Sequence, residues 1–322
     1  MSKSKKLLNI STALIILSLF ISVAYAKDGV IARHAAVAGK FYDDNPDALR
    51  GQIESFLKVD PVFKVNEKPI ALISPHAGYI YSGLVAAHGY SIVKKHKYNR
   101  VIILAPSHYG KRFRGVSVVR FTHYKTPLGM VEVDREICDE LLDSTHLGFK
   151  EETSDHEPIF GTVPTAHIME HSIETQLPFL QLVMDDFKIV PLLIGYLKKG
   201  DYQVIAKAIK PFIDENTLII ASSDFLHYGD RYSYTPFRKN IKENIEKYDQ
   251  AAFNAITKVD INALSNYKHQ TDANICGFIP IYLLMHILPK GSAGYLVDYD
   301  TSGRQTGDYT YSVSYASLVF TP

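Results

Sequence analysis

The stretch Ile73-Ser74-Pro75-His76-Ala77-Gly78-Tyr79 decides how this chain is organised. An apolar run, Pro69 to Ile73, leads into it, and a helix-like segment from about residue 82 to residue 95 follows it. In α/β sheets, polar turns between the end of a strand and the next helix are the usual place for binding and catalytic groups. His76 stands in such a turn, so it is the first candidate for a functional residue.

The same arrangement occurs twice more along the chain. The run Val101–Ala105 leads into PSHYG, which contains His108, and the run Leu218–Ala221 leads into SSDFLHYG, which contains His227. If the three apolar runs are parallel neighbours in one sheet, all three histidines lie at the same edge of that sheet. We therefore predict a single site at this edge.

The alternation of strand and helix patterns predicts an α/β fold: one domain with a central, mainly parallel or mixed sheet flanked by helices. The chain has 322 residues, of which 46% are hydrophobic and 21% charged, and this is enough for a substantial core. It contains neither an internal repeat nor a Pro/Ser-rich linker. The main predicted strands are residues 69–74, 100–105, 187–194 and 217–222, and one predicted helix runs from Ile168 to Met184 with a kink or break at Pro178.

Composition and missing motifs exclude several functional classes. The isoelectric point near 7.8 and the absence of a basic stripe give no reason to expect nucleic-acid binding. The chain contains no GxGxxG, P-loop, HExxH or GxSxG motif. Any chemistry must therefore come from dispersed residues.

Residues 1–26 are typical of a secretory signal peptide. Lysines near the start precede a mostly apolar stretch from 7 to 23, and Ala24-Tyr25-Ala26 offers small residues for cleavage. An uncleaved membrane anchor is the alternative, but the stretch is short for a span. We expect an exported protein (periplasmic or extracellular) consisting of residues 27–322, with no stable membrane span after cleavage.

Two cysteines remain in the mature chain, and export would permit a disulfide between them. Cys138 lies on the apolar face of a predicted helix, whereas Cys276 lies in a turn that contains Gly277. We expect them not to pair.

A metal centre is the sharpest interpretation of the dispersed residues. Two neutral imidazoles and one anionic ligand suit redox-active non-haem iron, and copper also accepts imidazole and thiolate. His76 and His108 would be the imidazoles, and Cys276 or Asp224 the anion. His227 would then be free to act as a general acid or base.

Two further patterns leave alternatives open. His171 and Glu174 are spaced i, i+3 within the predicted helix, so they are either a further ligand, proton relay or support for the site, or an ordinary polar pair on a helix. Ser222 and Ser223 near His227 suggest a serine hydrolase, although adjacent residues on one turn rarely supply the geometry of a triad. The hydrolase pattern is weak, and the alternative is that the serines cap the turn.

Six motifs in order resemble the Memo family, whose prokaryotic members are often called AmmeMemoRadiSam system protein B. They span roughly residues 35 to 320: AVAGKFY, ISPHAGYIYSG, LAPSHYG, HSIETQLPFL, SSDFLHYG and CGFIPI. The resemblance implies a fold like that of class III extradiol ring-cleaving dioxygenases, which hold non-haem iron by two histidines and a glutamate. In Memo-like proteins a cysteine takes the place of the carboxylate. His76, His108 and Cys276 match the metal-ligand positions, and Asp224 and His227 match other pocket residues.

The resemblance also implies an activity and partners. It implies an iron or copper ion and a dioxygenase-like redox activity on an unknown substrate; the alternative is a non-catalytic module that binds a peptide or small ligand in the same pocket. Eukaryotic members act in cell-motility signalling and have been treated as phosphopeptide binders. Prokaryotic genes of the family often accompany a radical SAM protein and an AMMECR-type protein. Export would separate this chain from such cytoplasmic partners, so the leader argues against that association here.

Overall fold

Twelve strands and ten α-helices make up the part of the chain that the computed structural model describes, which is residues 29–59, 65, 67–109, 112–143 and 159–322. The strands are β1 (Ala32–Arg33), β2 (Ala71–Ser74), β3 (Arg100–Pro106), β4 (Val116–Val118), β5 (His123–Thr126), β6 (Gly129–Val133), β7 (Phe160–Gly161), β8 (Lys188–Ile194), β9 (Thr217–Ser222), β10 (His227–Gly229), β11 (Ala293–Thr301) and β12 (Tyr311–Thr321). The helices are α1 (Pro46–Phe56), α2 (Tyr79–Val93), α3 (Arg135–Leu142), α4 (Pro164–Ile168), α5 (Leu177–Val183), α6 (Asp201–Ile209), α7 (Ile241–Thr257), α8 (Ile261–Thr271), α9 (Phe278–Ile287) and α10 (Ser302–Thr306).

The strands form one mixed sheet. Its order is β1-β5-β6-β8-β3-β9-β2-β12-β10, with β11 paired to β12, β4 to β8 and β7 to β4. The central strands β8, β3, β9 and β2 are parallel, and β12 joins β2 in the antiparallel direction. The predicted α/β fold, with a mainly parallel or mixed sheet between helices, is confirmed.

The three apolar runs that lead to the histidines are neighbours, as predicted. β9 lies between β2 and β3, and both pairings are parallel. Ser74 is opposite Ser222, and Leu104 is opposite Ala221, so the three strands end together. The turns that follow them therefore meet at one edge of the sheet.

Helices on both faces explain why these strands are apolar without alternation. The helix α9 packs on β3 and β9, and α2 packs on β2, β11 and β12. Every residue of β2 and β9 is buried. Strands covered on both faces have no solvent side, so no polar residue is needed at alternate positions.

The predicted helix from Ile168 to Met184 is wrong. The short helix α4 ends at Ile168, a 3₁₀ turn spans Glu174–Gln176, and α5 begins only at Leu177. Pro178 lies in the first turn of α5, where its missing N–H costs no helical hydrogen bond. His171 and Glu174 thus do not share a helix face, and the i, i+3 argument for them fails.

The predicted signal peptide, residues 1–26, lies outside the described residues and stays a prediction, as does export. Within the described ranges, no helix is both long and apolar enough to cross a membrane.

Glu174 ties the start of the domain to the centre of the chain. Its carboxylate is buried, forms an ion pair with Arg33, and accepts the backbone N–H groups of Ala36 (2.8 Å) and Val37 (3.0 Å). The hydroxyl of Tyr42 donates to it at 2.5 Å. These contacts occupy both carboxylate oxygens, so Glu174 holds the N-terminal segment and is not available as a ligand or proton relay.

We predict that Glu174→Gln destabilises the fold by about 3 kcal/mol or more, because the buried guanidinium of Arg33 would lose its charge partner. Urea unfolding followed by circular dichroism measures this. Glu54→Gln, on the exposed face of α1, is the control and should change stability little. Equal stability of the two variants would contradict the assigned role.

Candidate metal centre

His76 is at the centre of the site and is fixed by three contacts. Its backbone N–H donates to Asp224 Oδ1 at 2.8 Å, and its Nδ1 lies 2.8 Å from Ser222 Oγ. Its other ring nitrogen, Nε2, lies 3.1 Å from Cys276 Sγ. The side chain is buried, and only Nε2 remains available for a ligand.

His108 is held by a buried carboxylate that the sequence analysis missed. Glu170 Oε1 lies 2.9 Å from His108 Nδ1, and Glu170 Oε2 accepts the backbone N–H of His108 at 2.5 Å. The same carboxylate accepts the backbone N–H groups of His171 and Ser172. Glu170 therefore fixes the ring of His108 through Nδ1, and Nε2 of that ring is directed away from the Glu170 carboxylate. The only local signal for it was its position directly before His171.

His171 completes a cluster of three imidazoles. Its ring stacks on that of His108 with a centroid distance of 4.7 Å and an interplanar angle of 17°. The ring of His76 lies 5.2 Å from His108 and 5.4 Å from His171. His171 Nδ1 is buried and, although Glu170 Oε1 lies 3.3 Å away, it has no hydrogen-bond partner. An unsatisfied buried nitrogen is what a bound ion or water would satisfy.

Two sets of potential ligands share His76. The first is His76, His108 and His171, and the second is His76, Asp224 and Cys276; within each set the candidate donor atoms lie within 4.8 Å of one another. The predicted ligands His76, His108 and Cys276 draw on both sets and do not by themselves form such a group among the described residues. Because His76 offers one free nitrogen, a single ion can use it at a time.

His76 and His171 are held in the neutral form, which is the form that binds metals. Burial, with a smaller effect of the neighbouring His108, lowers the pKa of His76 well below its usual value. Burial and His108 likewise lower the pKa of His171 to about 4. Both rings are therefore uncharged near neutral pH.

The anionic candidates hold their protons tightly when no cation is nearby. Burial and the adjacent Asp224 raise the pKa of Cys276 well above its usual value, and burial raises the pKa of Asp224. A cation reverses this effect, because it stabilises thiolate and carboxylate at once. A donor set of imidazole nitrogen, thiolate sulfur and carboxylate oxygen suits iron, copper or zinc. The residues thus fit a transition-metal ion.

Comparison with known proteins identifies the family of the chain. The family model described as Memo-like protein matches residues 33–319 of the chain. The chain belongs to the Memo family.

Relatives of similar length cover nearly the whole domain. A MEMO1 family protein of Methanosarcina acetivorans is 32% identical over 294 residues, covering 89% of this chain and 98% of the relative. One from Sulfolobus acidocaldarius is 36% identical over 309 residues, covering 89% and 99%. Among solved structures, the uncharacterized protein JW3007 from Escherichia coli K12 matches with a TM-score of 0.43 at 10% identity, covering 77% of this chain and 98% of that one.

His227 stands beside the cluster in this Memo-family protein. It begins β10, and its Nδ1–H donates a 2.8 Å hydrogen bond to the backbone carbonyl of Phe225. Its ring contacts Tyr232 edge-on at 5.1 Å. Its Nε2 is not engaged by that hydrogen bond. His227 belongs to neither of the two ligand sets.

Neither serine of the SSDFLHYG turn is placed as a nucleophile. Ser222 Oγ donates to the carbonyl of Ser172 at 2.6 Å, and Ser223 Oγ donates to the carbonyl of Asp224 at 2.7 Å. Both side chains are fully buried. The geometry favours the structural role in the turn over the serine hydrolase.

The centre opens into a cavity of about 370 Å³. His108 and Cys276 are among the residues that line it, so a molecule in the cavity reaches two of the candidate ligands. Cys276 is a free thiol, and so is the buried Cys138. Cavities of this size hold small organic molecules.

A buried carboxyl group supports the turn that carries Asp224 and His227. Asp249, on α7, accepts the backbone N–H of Leu226 at 3.4 Å and the hydroxyl of Tyr299 at 2.8 Å. Burial raises its pKa from 3.8 to about 7. The folded protein therefore retains a proton here that the unfolded chain releases between about pH 4 and pH 7.

We predict that this carboxyl group makes stability depend on pH. Its contribution is fully present below about pH 4 and declines as the pH rises through 7, so wild type should lose on the order of 2 kcal/mol between pH 5 and pH 8 from this group. Asp249→Asn stays neutral and should lose less over that range. Urea unfolding at both pH values measures the difference, with the exposed Asp185→Asn as control. An unchanged pH dependence in Asp249→Asn would refute the prediction.

Proposed function

We propose that this protein binds one redox-active iron or copper ion through His76 and its neighbours and acts on a small substrate that enters the adjoining cavity. The observation that carries the proposal is the 3.1 Å approach of His76 Nε2 to Cys276 Sγ, beside the two other imidazoles. Imidazole and thiolate donors at one point favour a transition metal over Mg²⁺ or Ca²⁺, which prefer oxygen ligands.

The chain's own residues divide the remaining tasks. A bound iron or copper ion would supply electron exchange and polarise an oxygen-containing substrate. Glu170 fixes the ring of His108, and Ser222 fixes that of His76, so the ligand nitrogens are oriented before an ion arrives. His227 Nε2 is assigned to accept a proton from the substrate, since Nδ1 is engaged by the backbone. Asp224 secures the backbone of His76 beside it.

The second candidate function is a non-catalytic module that binds a small ligand or peptide in the same pocket. The cavity favours it, because a preformed pocket binds a ligand whether or not a metal is present. The two functions differ in what happens when metal is removed. A ligand that remains bound to metal-free protein supports the binding module, and one that is lost with the metal supports the metal centre.

We predict about one equivalent of iron or copper per chain in protein purified anaerobically without a polyhistidine tag. His76→Ala should lose most of the metal, because both ligand sets require that residue. Elemental analysis measures the content, and circular dichroism checks the fold. The exposed His34→Ala is the matched control and should keep its metal.

The remaining ligands are assigned by two further variants in the same experiment. Loss of metal in Cys276→Ser but not in His171→Ala identifies the set that contains the thiolate, and the opposite result identifies the set of three histidines. Metal-free but folded wild-type protein, or full metal content in His76→Ala, would refute the proposal.

We also predict that Glu170→Gln weakens metal binding by about 10- to 100-fold, the usual effect of removing a carboxylate that orients a histidine ligand. Competition with a coloured chelator measures the affinity. Glu54→Gln, on the exposed face of α1, is the control, because it removes a carboxylate without disturbing the buried groups around the site. Equal affinities in the two variants would show that Glu170 does not act through His108.

A further inference from the structure

The lining of the cavity includes a cation and aromatic rings. Arg112, Tyr196 and Tyr109 line it together with His108 and Cys276. The guanidinium carbon of Arg112 lies 5.1 Å from the centroid of the Tyr196 ring. Stacking of this kind holds the plane of the guanidinium while its N–H groups remain free to donate at the edge.

Arg112 has no anionic partner within the described part of the chain. No ion pair among the described residues involves Arg112. The residues that line the cavity include neither aspartate nor glutamate. The neighbouring Arg114, by contrast, is paired with Asp201 through two hydrogen bonds of 3.0 Å and 2.6 Å. The two arginines therefore differ: Arg114 anchors the segment, whereas the guanidinium of Arg112 is available to a ligand in the cavity.

The backbone beside Arg112 is fixed to the end of β8. Tyr196 N–H donates to the carbonyl of Phe113 at 3.0 Å, and Gly195 N–H donates to the carbonyl of Gly115 at 2.9 Å. A Cβ at Gly195 would lie 2.2 Å from that Phe113 carbonyl oxygen, so the close contact requires glycine. A guanidinium on such an anchored segment is better positioned for recognition than one on a free loop.

Apolar and aromatic side chains also line the cavity. Phe113, Ile279 and Pro280 contribute to it, and the rings of Tyr109 and Tyr196 offer flat surfaces. Apolar walls with one charged group at the rim select a molecule with an apolar body and one opposite charge. The planar fork of arginine matches a carboxylate, to which it can donate two hydrogen bonds.

We propose that this cavity binds a small aromatic or similarly flat carboxylate, whose carboxylate group pairs with Arg112 and whose body lies along the tyrosine rings toward His108 and Cys276. The inference rests on the proposed function only in taking this cavity as the entrance to the metal centre. Binding of the carboxylate itself requires no metal, because Arg112 belongs to neither ligand set.

The first test compares benzoate with benzamide, its neutral isostere, by titration calorimetry on the full chain as purified and after chelator treatment. Wild type should bind benzoate about tenfold more tightly than benzamide, as expected for a hydrogen bond between charged groups. Arg112→Gln should abolish this preference. Arg120→Gln is the control, because the antiparallel pairing of β4 with β8 places that exposed residue toward the opposite edge of the sheet.

The second test uses Cys276 as a reporter inside the cavity of chelator-treated protein. Iodoacetate and iodoacetamide alkylate the same thiolate: a sulfur–carbon bond forms and iodide leaves, so the ratio of their rates is independent of the thiolate fraction. The ratio of iodoacetate to iodoacetamide should fall several-fold in Arg112→Gln and stay unchanged in Arg120→Gln. Cys138 is fully buried and should not react, which peptide mass analysis verifies.

The outcomes separate this inference from the metal centre. Equal binding of benzoate and benzamide, or an unchanged alkylation ratio in Arg112→Gln, would overturn the carboxylate site even if iron or copper is present. A benzoate preference that depends on Arg112 in protein that never contains metal would support the carboxylate site and overturn the proposed redox function.

Discussion

The parallel pairing of β9 with β2 on one side and β3 on the other is the constraint on which the rest of the structure depends. It brings the ends of three strands to one edge, so that turns far apart in the chain share one space. Ser222, at the end of β9, contacts the ring of His76 after β2, and Asp224 binds the backbone of the same residue. A shift of one residue in either pairing would turn these side chains to the other face of the sheet, and the site would not form.

Around that edge the protein buries several polar groups, and it can do so because they satisfy one another. Glu170 accepts hydrogen bonds from the backbone and ring of His108, which, despite burial, lower its pKa to about 2. Gln176 donates to Ser222, which in turn supports His76. Each contact restricts the rotation of a side chain at the site. The Nδ1 of His171 is left unsatisfied, and it lies where an additional donor or cation would fit.

Local patterns in the sequence were sufficient to predict the sheet and the two histidines nearest its edge. Uninterrupted apolar runs identify buried parallel strands, and a polar turn after each run places His76 and His108 there. Glu174 was assigned to the site only because a helix was assumed; its true contacts lie some 130 to 140 positions away, at Arg33 and Tyr42. Glu170 and Arg112 were missed for the same reason: their roles depend on contacts across the fold that no local periodicity records.

The two ligand sets offer a metal ion two alternative groups of donors, which the sequence alone did not show. Both require the single free nitrogen of His76, but one adds two imidazoles and the other a thiol and a carboxyl group. The thiol and the carboxyl group must lose protons to bind an ion, so use of the second set is favoured by higher pH and by softer ions. His108 and Cys276 both face the cavity, hence whichever set an ion uses leaves a donor of the other set exposed beside it. Occupancy by one metal thereby also determines which side chain, imidazole or thiol, an entering molecule meets.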